Sequence, residues 1–252
     1  MSNFKYIDLM SQIIKNIDET QADNIKAAAD ICANVIASGK MVHIFGSGHS
    51  VLPIQDVFPR YGGIVGWHPL MDPRLMWFNV LRGGGVREVI WLERQEGYIV
   101  NFLRSFNFQK DEAMVVFSHG GLNAAPVEAA MYAKDRGLKV IVVIGGENYR
   151  NAKATHSSGK KLGDMADIII DNCCPIEDAL VKVPDQPQPV GASSTMAAIV
   201  VAQTLASETS LLLQKKGYKM FTFVSPNVKE CPPGYVDEIY ADYLRLIRAC
   251  GN

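Results

Sequence analysis

The 252-residue chain reads as an α/β protein built on a parallel sheet with helices on both faces. Three observations predict this. Short apolar runs ("MVHIF", "GIVGW", "AMVVFS", "KVIVVIG" and "ADIIID") alternate with helical patterns that include 87–106, 123–136 and 191–216, the order of β–α–β units. The runs are short and continuously apolar, as strands buried on both faces are. Glycine-, hydroxyl- and amide-rich turns follow them: "GSGHS" after the first, "SHGGLN" after the third, "GGEN" after the fourth and "DNCCP" after the fifth. In a parallel sheet these turns share one edge, beyond the carboxyl ends of the strands, where ligands bind.

Ahead of the first strand, Ile7, Met10, Ile13, Ile14 and Ile17, then Ile25, Ala29, Cys32 and Ile36, recur at helical spacing. They predict helices over 1–40 that pack on the core or on a partner subunit, with Gly39 ending the second of them. The α/β region is expected over 41–225 and a helical C-terminal extension over 226–252.

The first turn carries the clearest chemistry. Gly46 and Gly48 remove side chains where the chain must turn and bring its backbone near a ligand. Ser47, His49 and Ser50 add donors beside the free N–H groups of the next helix, with Pro53 in its first turn. Such a helix start suits phosphate. A dinucleotide fingerprint would place a third glycine where Val51 stands and an acid about twenty residues on, where the chain has "GWHPL". The Gly-Lys-Ser/Thr of a P-loop is absent. The second turn repeats the logic with Ser118, Gly120, Gly121, Asn123 as a cap and Pro126 in the first helical turn. Ser193 and Ser194 in "GASST" open the apolar helix that ends near Lys215. Two anion-ready turns on one edge favour a phosphorylated small molecule; the competing reading is a pair of ordinary βα turns, with the hydroxyls of "GASST" serving only as a cap.

Composition narrows the classes. A net charge of −1 gives no broad basic surface for nucleic acid. No uncharged apolar run of membrane-spanning length is present, and "MSNFKYIDLM" turns acidic too early for a signal peptide, so a cytoplasmic protein with no membrane partner is expected. Cys32, Cys173, Cys174, Cys231 and Cys250 are odd in number and contain no C-x-x-C, against a disulfide framework. His43, His49, His68, His119 and His156 lack zinc-site spacing; no metal and no cofactor are expected.

These residues resemble the sugar isomerase, or SIS, domain family of phosphosugar proteins. Gly46, Gly48 and Ser50 match its Gly-x-Gly-x-Ser loop. Ser118 and Gly121 match its Ser-x-Ser-Gly-x-Thr loop, with Gly120 in place of serine and Asn123 in place of threonine. "HSSGKKLGDMAD" is similar to the segment before the family's last strand, in Leu162, Ala166 and Asp167. The likeness is greatest to a single-SIS-domain phosphosugar-binding group sharing "GHS", "ER..GY", "S..G.N...VE.A", "SSGKKL" and "DN..P" over about residues 5–230. The resemblance implies a three-layer αβα sandwich, flavodoxin-like, with a five-stranded parallel sheet and a helical N-terminal extension. It also implies a homodimer whose subunits complete each other's sites, and a phosphorylated sugar as ligand. The family includes aldose–ketose isomerases, an etherase acting on N-acetylmuramic acid 6-phosphate, and sensor modules of transcription regulators. The regulators carry a DNA-binding head, whereas residues 1–38 here hold three lysines against five acids. A sugar-phosphate isomerase or lyase is expected, the alternative being a non-catalytic phosphosugar-binding or sensing subunit.

Isomerisation and elimination both begin when a base removes the proton beside the sugar carbonyl. The candidates are Glu93, Glu96, Asp56, Glu177, Glu208, His119 and His156. Glu93 stands first, because the resemblance to the etherases implies a catalytic glutamate at the start of the helix before the second phosphate loop. Glu208 is the odd polar residue of an apolar helix, and His119 or His156 would assist at the ring or leaving-group oxygen.

Overall fold

The computed structural model describes residues 2–225, 227–228 and 231–249; Cys250 lies outside them. The chain opens with α1 (Lys5–Ala37), followed by β1 (Val42–Gly46), α2 (Leu52–Val57), β2 (Trp67–Leu70), α3 (Val86–Leu92), α4 (Tyr98–Leu103) and β3 (Ala113–Phe117). Then come α5 (Ala124–Asp135), β4 (Lys139–Ile144), α6 (Gly146–Asn151), β5 (Ile168–Asp171), a hairpin of β6 (Ala179–Val181) and β7 (Val190–Ala192), α7 (Ser194–Lys215) and α8 (Tyr235–Ala249).

Strands β1 to β5 form one sheet in the order β2-β1-β3-β4-β5, and every pairing in it is parallel. Side chains alternate across it as the strand period requires. Val42, Ile44, Ala113, Val115, Phe117, Ile141 and Val143 face the layer of α1, α2, α7 and α8. Phe45, Met114, Val116, Val140, Val142 and Ile144 face α4 and α5. The result is the expected αβα arrangement, with the loops after β1, β3, β4 and β5 on one edge.

Three elements depart from the sequence reading. The N-terminal pattern is one 33-residue helix, because "DETQADN" between its two apolar stretches is polar yet contains neither glycine nor proline to break it. Strand β2 begins at Trp67 rather than Gly63: Gly66 has φ +131 and a Cβ there would meet Ile36 at 2.7 Å, while Ile64 instead bridges antiparallel to Thr222. The helical stretch 87–106 breaks into α3 and α4, with Gly97 left-handed at φ +81.

Helix α7 has the length and hydropathy of a membrane-spanning segment by composition alone. Its small residues Ala197, Ala198, Val201, Ala202 and Ala206 are buried in the cluster that also holds Ala28, Ala29 and Ala33 of α1.

Candidate functional site

The first loop is shaped by what its glycines exclude. A Cβ on Gly46 would lie 2.3 Å from the Ser50 carbonyl oxygen, so only glycine lets the chain fold back into the 3₁₀ turn Gly48–Val51 that precedes α2. Gly48 has φ +59, and a Cβ there would stand 3.2 Å from the Trp77 ring. That indole also packs on His49, ring centroids 4.1 Å apart. In the second loop Gly121, at φ +63, donates its N–H to Ser118 Oγ at 3.2 Å. Its carbonyl accepts from Leu162 N at 2.9 Å.

Glu93 joins the two loops. Its Oε2 accepts from Ser47 Oγ at 2.8 Å and its Oε1 from Asn123 Nδ2 at 2.7 Å, while its carbonyl accepts from Ala125 N at 2.9 Å. Burial raises its carboxyl above the ordinary range, opposed by the Ser47 hydrogen bond and by Arg94. Glu93 is therefore not at a helix start, as the resemblance implied; it closes α3 as the C-cap, since Gly97 turns the chain before α4 begins. Ser47 and Asn123, read from sequence as sugar- or phosphate-binding, spend these donors on Glu93. Asn123 is the residue preceding α5 but caps it with no side-chain hydrogen bond.

A narrow cleft is lined by Ser50, Ser118, His119, Asn172, Ser194 and Thr195, gathering the ends of β1, β3 and β5 with the start of α7. The His119 ring lies between two carboxamides, Nδ1 3.1 Å from Asn172 Nδ2 and Nε2 3.1 Å from Asn148 Nδ2. Asn172 Oδ1 accepts from Cys174 N at 3.0 Å, which fixes that amide with its NH₂ toward His119. Nδ1 is then an acceptor, so a neutral ring carries its proton on Nε2, on the side of the Asn148 carboxamide.

Beside Glu93 opens a cavity of about 470 Å³ lined by Arg94, Glu96, Leu122, Asn123, Ala124, Thr155 and His156, within the size range of small-molecule sites. Glu96 accepts from the Ser157 backbone N–H at 2.7 Å and from its hydroxyl, bonds that lower its pKa. His156 Nδ1 accepts from Ser158 N at 3.1 Å.

Three expectations need correcting. Glu208 lines a separate groove between α1 and α7 with Lys15, Asp18, Lys26 and Thr204. It lies fourteen residues along α7 from Ser194, about 21 Å at 1.5 Å per residue, too far to reach the turns at the sheet edge. Ser193 and Ser194 are themselves the capped groups: Asp178 Oδ1 accepts from both backbone N–H groups, at 3.1 and 2.6 Å, and its Oδ2 accepts from Ser194 Oγ at 2.8 Å. Asp56 lies on α2, where its Oδ2 accepts from Gln203 Nε2 at 2.8 Å. Sequence reasoning missed Asn148, Asn172, Asp178 and Trp77; "GGEN" and "DNCCP" marked the first two only as loops.

With the geometry in place, comparison with known proteins decides the family. The SIS domain model matches residues 5–145, more than half of the chain. The chain belongs to the SIS domain family. Within it, this SIS protein is 33% identical to a UPF0309 protein of Thermoanaerobacter pseudethanolicus over 89% of this chain and 91% of that one. It is 34% identical to a UPF0309 protein of Caldanaerobacter subterraneus over 89% and 90%. In structure the SIS fold superposes on a phosphoheptose isomerase from Francisella tularensis with a TM-score of 0.53 and 15% identity, covering 82% of this chain and 95% of the other. A phosphoheptose isomerase from Neisseria gonorrhoeae gives 0.52 and 13%, covering 80% and 93%. These two likenesses are of fold.

Proposed function

We propose that this SIS protein binds a phosphorylated sugar at the edge formed by the β1 and β3 loops and acts on it as an isomerase or lyase, with Glu93 as the proton-abstracting base. The observation that carries the reading is the mounting of Glu93: a half-buried carboxylate of raised basicity, held by one donor from each glycine loop, beside a cavity of sugar-phosphate size. That two proteins of the same fold are phosphoheptose isomerases supports the reading.

Ser50, Ser118 and Thr195 gather neutral donors in a cleft of about 10 Å³, room for one water molecule, so a phosphate held by them requires the cleft to open, while the wider cavity has the volume for the sugar. There the Glu93 carboxylate takes the proton from C2, the C–H electrons move into the carbonyl, and an enediolate forms. Returning that proton to C1 while the O2 proton passes to O1 completes an aldose–ketose isomerisation; expelling the C3 substituent as an alkoxide that takes up a proton completes an elimination. Ser47 and Asn123 keep the carboxylate aimed while desolvation raises its proton affinity.

A specific observation favours a second reading, a non-catalytic binding subunit: both nitrogens of His119 are occupied by protein carboxamides, which leaves that ring no open position for acid–base work. A thermal-shift screen against hexose, hexosamine, heptose and muramic acid phosphates tests the binding. A ligand at 100 times its dissociation constant adds about 2.7 kcal/mol to stability; stabilisation by NAD or a nucleoside triphosphate and by none of the sugars would replace this function.

A further inference from the structure

Glu128 stands one helical turn after Ala124 on α5 and is 8% exposed. Its Oε1 accepts from Gly97 N at 2.7 Å. Gly97 closes the turn that Glu93 opens, and the Glu93 carbonyl accepts from Ala125 N, so α5 grips both ends of the segment that carries the base. The same Oε1 lies 3.5 Å from His156 Nε2, whose other neighbour is Glu96 Oε2 at 3.8 Å. Because His156 Nδ1 accepts from Ser158 N, a neutral ring carries its proton on Nε2, between two carboxylates and well bonded to neither. Glu128 Oε2 meanwhile is buried and has no hydrogen-bond partner among the described residues, an arrangement that calls for a reason.

Resting on the reading of Glu93 as the base, we propose that Glu128 is the positioning residue of this site: Oε1 fixes the Glu93 turn, and the carboxylate receives the His156 Nε2–H when a sugar phosphate fills the cavity. Glu96 and His156 both line the cavity, so a ligand hydroxyl that donates to Glu96 removes the competing acceptor. A shift of about half an ångström then brings Nε2 to ordinary hydrogen-bond distance from Glu128. The imidazole is thereby locked beside the ligand in one tautomer, and its orientation becomes tied to that of the base through a single carboxylate.

The test is a double-mutant cycle on C2 proton exchange in deuterated water, using a sugar phosphate that stabilises the wild-type protein. Glu128→Gln keeps an amide oxygen at the Oε1 position for both Gly97 N–H and His156 Nε2, but it removes the carboxylate charge that draws the imidazole and puts an NH₂ donor where Oε2 was. The melting temperature and ligand affinity are expected to hold within a few degrees and about threefold, while exchange falls by about tenfold or more with KM little changed. In a His156→Ala background the same substitution is expected to change exchange by less than about twofold. Wild-type exchange in Glu128→Gln, or an equal loss in both backgrounds, overturns the positioning role and leaves the function standing. Binding without exchange in the wild-type protein ends the catalytic reading and this proposal together.

Discussion

Ser47 Oγ donates to Glu93 Oε2 at 2.8 Å, joining the turn after the first strand to the residue that ends α3. With Asn123 on the other oxygen, the carboxylate is bound to both glycine loops at once. The Ser47 bond favours the ionised form and so opposes the burial that raises the Glu93 carboxyl, and an amide N–H donated to the other oxygen acts in the same sense.

Removing either donor has a signed consequence. Ser47→Ala and Asn123→Ala take a hydrogen bond from a charged group, worth about 1.5–3 kcal/mol, and the Glu93 pKa rises further. The pH at which the base becomes ionised moves up, so proton abstraction is lost at acidic pH and recovers toward alkaline pH. A pH–rate profile whose acid limb stays in place contradicts this role of the two donors.

Ser50→Ala and Ser118→Ala act on ligand affinity instead. Both residues line the narrow cleft, and each hydroxyl lost to a phosphate is expected to weaken binding about ten- to 150-fold while the fold persists. Calorimetry giving unchanged affinity in both variants removes the phosphate from this cleft.

Stability has its own pH dependence, set toward the starts of β1 and β2 rather than at their carboxyl ends. His43 and His68 face each other across β1 and β2, Nδ1 to Nδ1 at 2.9 Å, and His43 Nε2 meets Glu112 Oε2 at 3.0 Å. Burial, aided by His43 and opposed by Glu112, lowers His68 from 6.5 to about 4. The unfolded chain therefore binds the proton first, and stability falls as the pH drops from 6.5 toward 4, by about 1.4 kcal/mol per pH unit at most. Thermal melts across that window are expected to flatten in His68→Phe relative to the wild type; parallel curves contradict the assignment.

Assembly is the remaining expectation. Ile7, Ile14, Met196 and Leu211 are exposed on α1 and α7, more apolar surface on two neighbouring helices than a lone subunit needs. Light scattering at micromolar concentration is expected to give twice 27.7 kDa; a mass of 27.7 kDa rejects the dimer.

The sheet and its edge were legible because β1, β3, β4 and β5 carry β-branched residues and β1, β3 and β4 run into glycine or hydroxyl residues with a mechanical task, whereas β2, "WHPL", offers neither signal. Glu93 was legible as a candidate but not in its setting, since the break at Gly97 depends on a left-handed residue inside a stretch with helical periodicity. Asp178 reaches Ser193 and Ser194 only because the β6–β7 hairpin folds the chain back between them. Asn172 is fixed by a bond to Cys174 two residues on, yet its use against His119 depends on the register of β3, β4 and β5. Glu208 misled for the opposite reason: a polar residue in an apolar helix marks a groove as readily as a site.

The central claim, that Glu93 is the base of a sugar-phosphate site, is tested most directly by C2 proton exchange in deuterated water with Glu93→Gln. Loss of a general base costs about 10²–10⁴-fold in rate. The substitution is expected to abolish exchange while sugar-phosphate affinity stays within a few fold; exchange at the wild-type rate in Glu93→Gln contradicts the claim.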